Sequence, residues 1–173
     1  FLIFSFSLSG CKEDEETYSF TYDGKSYEIS KAYFSAEEAI AKVAPSLQNV
    51  FLCPSTITYN TTTEFFEGKG DIVWLMFYSE ESYLAPGSYE YANDFILGVL
   101  VKNFDSESEI DPTFYEIHPE GPGSVDVTKS GDTYEFDFSF NLESNKIVKG
   151  KYKGTMTEIQ FMPNKSTGKF LPE

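Results

Sequence analysis

Nine residues near the end of the chain, Tyr134-Glu135-Phe136-Asp137-Phe138-Ser139-Phe140-Asn141-Leu142, leave it few choices of fold. Large apolar side chains occupy every second position and polar ones stand between them, which is the period of a strand and not of a helix. Such a strand has one face in a core and one in water. The sequence from Ile147 to Ile159 returns along it, and Ser144-Asn145-Lys146 is the expected tip of the turn. That turn sets Leu142 opposite Val148, Phe140 opposite Gly150, Phe138 opposite Tyr152 and Phe136 opposite Gly154, with the glycines leaving room for the rings. On the wet face it sets Asp137 against Lys153 and leaves Lys149 and Lys151 beside Asn141 and Ser139. A slip by one residue would turn every aromatic ring to water.

The rest of the chain reads in the same way. Tyr18 to Tyr22 alternates, Asp23-Gly24-Lys25 turns, and Ser26 to Phe34 returns extended, as in a hairpin. Ser35 with Glu38 forms a capping box before Ala36, Ala39, Ile40 and Val43, which predicts one short helix ended by Pro45. Strands are expected at Val50–Cys53, Thr56–Tyr59, Ile72–Tyr78, a short stretch before Tyr91, Phe95–Lys102 and Ser124–Lys129. Ile72–Tyr78 is apolar on both sides and is expected at the centre of a sheet. The polar stretch Asn60–Gly70, with Phe65-Phe66 inside it, reads as a turn region, and Asn103–Asp111 and His118–Gly123 read as loops. Many short strands with one helix predict an all-β protein, an antiparallel β-sandwich or partly closed barrel.

Ahead of this domain stands a different kind of sequence. Phe1 to Ser7 is apolar and hydroxylic, Leu8-Ser9-Gly10-Cys11 follows, and then comes the charged run Lys12-Glu13-Asp14-Glu15-Glu16. Leu8 to Cys11 resembles the bacterial lipoprotein lipobox, with an apolar residue three before the cut, small residues beside it and a cysteine to accept lipid. The resemblance implies that residues 1–10 are the remnant of a signal peptide, truncated at its start. It further implies that Cys11 is lipidated; the charge and strand pattern then divides the rest into an acidic tether at 11–17, one β-sandwich domain at 18–162 and a C-terminal tail at 163–173. The run Lys12 to Glu16 resembles the lysine-plus-acidic signal of Bacteroidetes surface lipoproteins. An ordinary solvated tether has the same composition.

Charge and residue usage narrow the function. A formal charge of −15 repels nucleic acid and anionic headgroups. The chain has no arginine, so bidentate clamps on phosphate or carboxylate are ruled out. With Cys11 lipidated, Cys53 has no intramolecular disulfide partner and reads as a small buried residue. No stretch after the signal reaches about 20 apolar residues, so membrane attachment is expected through lipid alone.

Three groups of side chains qualify as candidate sites. Asp105, Glu107, Glu109 and Asp111 place carboxylates at alternate positions, a weak calcium candidate without the glycine that such loops use to turn. Asp111, Glu116, His118 and Glu120 lie close in sequence, but one histidine is little from which to build a zinc or acid-base site. Trp74, Tyr78, Tyr83, Tyr89 and Tyr91 gather around one strand and the turn after it, where they serve either as core or as a stacking platform for sugars.

The segments Gly87-Ser88-Tyr89, Val125 to Tyr134 and Gly150 to Thr155 resemble recurring segments of uncharacterised Bacteroidetes outer-membrane and surface lipoproteins. That resemblance implies a β-sandwich at the cell envelope and brings no catalytic residues. The expected protein is a non-enzymatic lipoprotein at the outer membrane, facing the surface, without a cofactor beyond its lipid. It would bind a protein or a glycan, or serve a structural role. Glycan capture for polysaccharide uptake is the alternative, and a glycoside hydrolase built on two carboxylates is the remoter one.

Overall fold

The computed structural model describes residues 17–37, 46–79, 83–91, 95–108, 110, 112–117 and 121–160. They form twelve strands: β1 (Tyr18–Tyr22), β2 (Lys25–Ile29), β3 (Lys31–Glu37), β4 (Ser46–Cys53), β5 (Ile57–Asn60), β6 (Phe65–Ser79), β7 (Gly87–Glu90), β8 (Phe95–Asp105), β9 (Thr113–Glu116), β10 (Gly123–Ser130), β11 (Thr133–Asn141) and β12 (Ile147–Glu158). The fold is all-β, and the described residues contain no helix. One sheet runs β7-β10-β11-β12-β3-β4-β6-β8-β9, with β1 and β2 branching from β12, and β5 from β6. Its two end strands, β7 and β9, do not pair with one another, so the sheet is not closed into a barrel.

The sheet folds over on itself as a sandwich does. Phe136, Phe138, Phe140, Val125, Val127 and Phe20 from one half meet Val50, Leu52, Val73, Leu75, Phe77 and Leu100 from the other in a single buried cluster. A second cluster lies on the opposite face of β4, β6 and β8, where Phe51, Cys53, Ile72, Trp74, Val99 and Val101 are covered by Ile57 and Phe66. Strand β6 is therefore buried on both faces, as its apolar sequence requires.

β3 corrects the expected helix. Ser35, Ala36 and Glu37 belong to this strand, which pairs with β4 from Lys31↔Cys53 to Glu37↔Leu47. Residues 38–45, the remainder of that expectation, lie outside the described residues. A capping signal is local, whereas Ala32 and Phe34 fill the first cluster and Tyr33 the second, and burial on both faces outweighs it. The expected turn region Asn60–Gly70 is also mostly strand, because β6 begins at Phe65 and is bent by glycines. Gly68 has φ +111°, and a Cβ there would lie 2.0 Å from the Thr56 carbonyl oxygen.

The closing hairpin has its faces as expected and its partners two residues along. Phe138 stands opposite Gly150, Phe136 opposite Tyr152 and Tyr134 opposite Gly154. The turn lies one residue earlier than expected: Leu142 N–H donates to Lys146 O at 2.8 Å, and Asn145 adopts a left-handed φ of 58°. Leu142 also bridges to Ile117. The shifted register makes two ion pairs across the wet face in place of one, Lys151–Asp137 at 2.5 Å and Lys153–Glu135 at 3.5 Å.

Strand β12 has a further role. Along one side it pairs with β11; along the other it pairs first with β1 and then, in parallel, with β3 through Met156↔Ala32 to Glu158↔Phe34.

Candidate functional site

Trp74 is withdrawn from any surface role. Its ring is 3% exposed, stacks on Phe51 at 5.5 Å, and donates its Nε1–H to Asn49 Oδ1 at 2.9 Å. Burial follows from position: Trp74 lies on the outer face of β6, which the second cluster covers. Tyr78, two pairs of positions further along the same face, is 50% exposed, and Tyr83 is 47% exposed. Tyr89 and Tyr91 pack against the first cluster instead. Tyr89 meets Phe77 edge-on at 5.0 Å, and its hydroxyl donates to Ala85 O at 2.6 Å. Three of the five aromatics are thus divided between two cores while Tyr78 and Tyr83 stay at the surface, and the five do not form the single platform that their spacing suggested.

The acidic candidate has an internal partner. Asp105 Oδ2 lies 3.1 Å from Lys69 Nζ, and a Glu107 carboxylate oxygen lies 3.6 Å from it. The hydrogen bond to Asp105 raises the Lys69 pKa above its ordinary value. Asp105 Oδ1 also accepts the Glu107 N–H at 3.0 Å, an Asx turn within the loop. Glu109 and Asp111 lie outside the described residues, as do His118 and Glu120. Among the described residues no three histidine, cysteine or carboxylate side chains gather as metal ligands would. Cys53 is fully buried in the second cluster, and burial pushes its thiol well above the ordinary range, which keeps it protonated.

What remains on the surface is one broad polar face. The pairings carry a continuous row across six strands, Ser88–Asp126–Asp137–Lys151–Ser19–Glu28. Beside it runs a second row, Glu90–Ser124–Ser139–Lys149–Thr21–Ser26. Where β12 meets β1 this face dips into a shallow groove of about 650 Å³, lined by Thr17, Ser19, Thr21 and the lysines 149, 151 and 153 among others. Sequence reasoning passed over these lysines as wet-face residues. The signal for them was present: no carboxylate occurs between Ser144 and Thr157, a stretch with four lysines. Cys11, the expected lipid site, lies outside the described residues.

Compared with protein-family models, curated proteins and solved structures, the chain matches none.

Proposed function

We propose that this chain is a lipid-anchored envelope protein whose β-sandwich acts as a non-enzymatic binding or structural module. The observation that carries the reading is the use made of the aromatic residues. They fill two cores, Trp74 among them, and leave an ordered polar face six strands wide. A flat polar sheet face suits contact with another macromolecule better than chemistry on a small one, because it encloses nothing from water. The one thiol of the domain is enclosed and protonated, which removes the obvious nucleophile. The lipobox Leu8-Ser9-Gly10-Cys11 supplies the address, the outer membrane, with the domain facing the cell surface. Two or three acyl chains on one cysteine hold a protein stably, since each buried CH₂ contributes about 0.8 kcal/mol.

Mass spectrometry of the membrane-extracted protein tests the anchor. A diacylglyceryl or triacyl modification on Cys11 is the expected result, and an unmodified Cys11 or an intact Phe1 to Gly10 segment sinks the proposal. Protease added to intact cells then tests the face of the membrane. If Lys12 to Glu16 is replaced by Ser and Gly and the domain is still digested as readily, the run is a tether and not a sorting signal.

Tyr78 and Tyr83, each about half exposed, favour glycan capture as the second reading. Binding of soluble polysaccharides that is lost in Tyr78→Ala or Tyr83→Ala would move it to first place.

A further inference from the structure

Tyr78 and Tyr83 are about equally exposed, but the fold holds them differently. Tyr78 lies on β6, and among the described residues no ammonium stands over its ring. Tyr83 belongs to the segment between β6 and β7, which is fastened at three successive residues. The Tyr83 carbonyl oxygen accepts a hydrogen bond at 2.9 Å from Gln48 Nε2, and the Gln48 side chain is fully buried. Leu84 is buried in the first cluster, and Ala85 O accepts the Tyr89 hydroxyl. A binding residue whose backbone is already fixed does not lose that freedom again when a ligand arrives.

Lys129, near the end of β10, reaches the same place. Its ammonium lies 4.8 Å from the centre of the Tyr134 ring and 5.7 Å from that of Tyr83. The Lys102 ammonium comes within 3.9 Å of the Tyr27 ring, so at 5.7 Å Lys129 stands beside Tyr83 without covering it. A hydrogen bond to Tyr134 raises the Lys129 pKa above its ordinary value, and Asp132, in the β10–β11 turn, adds to that. Lys129 makes no ion pair among the described residues, so an ammonium with three donors keeps hydrogens for a ligand.

We propose that Tyr83, Lys129 and Asp132 form a subsite for one hexose of a neutral polysaccharide. The apolar face of the sugar stacks on the tyrosine ring, its hydroxyl oxygens accept from the ammonium, and a hydroxyl hydrogen is donated to the carboxylate. Neutrality of the ligand follows from charge: Lys129 and Asp132 together carry none, and the −15 of the chain repels an acidic polymer. The subsite rests on the glycan-capture reading and assigns it to Tyr83 alone of the two tyrosines.

Affinity electrophoresis of the whole purified chain through gels containing laminarin, dextran or galactomannan, with polygalacturonate as the acidic control, tests it. At least one neutral polymer is expected to retard the wild type. Tyr83→Ala should weaken that binding about tenfold, as loss of a central aromatic contact does. Lys129→Gln should weaken it roughly threefold to tenfold, the range for one hydrogen bond. Tyr83→Phe, which keeps the ring, and Tyr78→Ala should bind as the wild type does. Unchanged Trp74 fluorescence shows that each variant is folded. Binding that survives Tyr83→Ala, or is lost in Tyr78→Ala instead, overturns the subsite and leaves glycan capture standing. Stronger retardation by polygalacturonate overturns the ligand class. No retardation by any of the four polymers overturns the subsite and the glycan reading together.

Discussion

Asn49 fixes the tryptophan: its Oδ1 accepts the Trp74 indole N–H inside a cluster that excludes water. Acrylamide should therefore quench the fluorescence of the single tryptophan only weakly in the native state and strongly in urea. Asn49→Ala removes that acceptor and should lower stability by about 1 to 3 kcal/mol, read as a fall in the urea midpoint. Equal quenching in the two states would place the ring at the surface. Among the described residues Lys102 and Asp71 form the one ion pair in which both side chains are largely buried, 15% exposed each and 2.5 Å apart, with the ammonium 3.9 Å from the centre of the Tyr27 ring. Burial opposes the charge on Lys102, but hydrogen bonds to Asp71 and Tyr27 outweigh it and raise its pKa above 10.5. The folded value lies above the unfolded one, so this contribution is whole below pH 10.5 and is lost as pH rises through the raised value. Lys102→Met should cost about 2 kcal/mol at neutral pH and flatten the alkaline fall of the urea midpoint. That Trp74 is buried was legible in the run Ile72 to Tyr78, apolar on both sides. The partner that satisfies its ring was not, because Asn49 lies 25 positions away and meets it only across the β4–β6 pairing.

At the level of the strand pair, alternation from Tyr134 to Leu142 states which side chains face the core, and that reading holds in β11 and β12. It does not state which residue faces which, because a shift of two preserves every face. The partner is chosen by where the turn is centred, and a turn closed one residue earlier, with Asn145 in the left-handed region, moves every partner by two. Gly150 carries the consequence. A Cβ there would lie 2.7 Å from both Phe138 Cζ and Phe20 Cβ, so Gly150→Ala should destabilise by about 1 to 3 kcal/mol through overpacking. Calorimetry or a urea titration checks it, and an unchanged midpoint would mean that the strands part there at no cost. β9 gave no sequence expectation at all, since Thr113 to Glu116 is four residues long and flanked by polar sequence. Spacing along the chain likewise says nothing of Lys69, which reaches Asp105 and Glu107 from β6.

For the whole molecule, the number and spacing of apolar runs was enough to state a β-sandwich. It was not enough to state the parallel pair of β12 with β3, which joins residues more than a hundred positions apart. That pair has a bearing on how the protein is made. β12 touches β1, β3 and β11, so it is the strand through which the two halves of the sheet are connected, and it is the last of the twelve to be synthesised. A nascent chain that has reached only Lys146 has β10–β11 and β3–β4–β6–β8 without the strand that pairs with both, and only core packing and the Ile117–Leu142 bridge to join them. Folding must wait for the final strand, and contacts of such long sequence separation form slowly. A ribosome-stalled chain ending at Lys146 should accordingly be cut by protease throughout, whereas one extended past Glu158 with its end clear of the ribosome should resist. Until then the polypeptide lacks the one strand that pairs with both halves of its sheet.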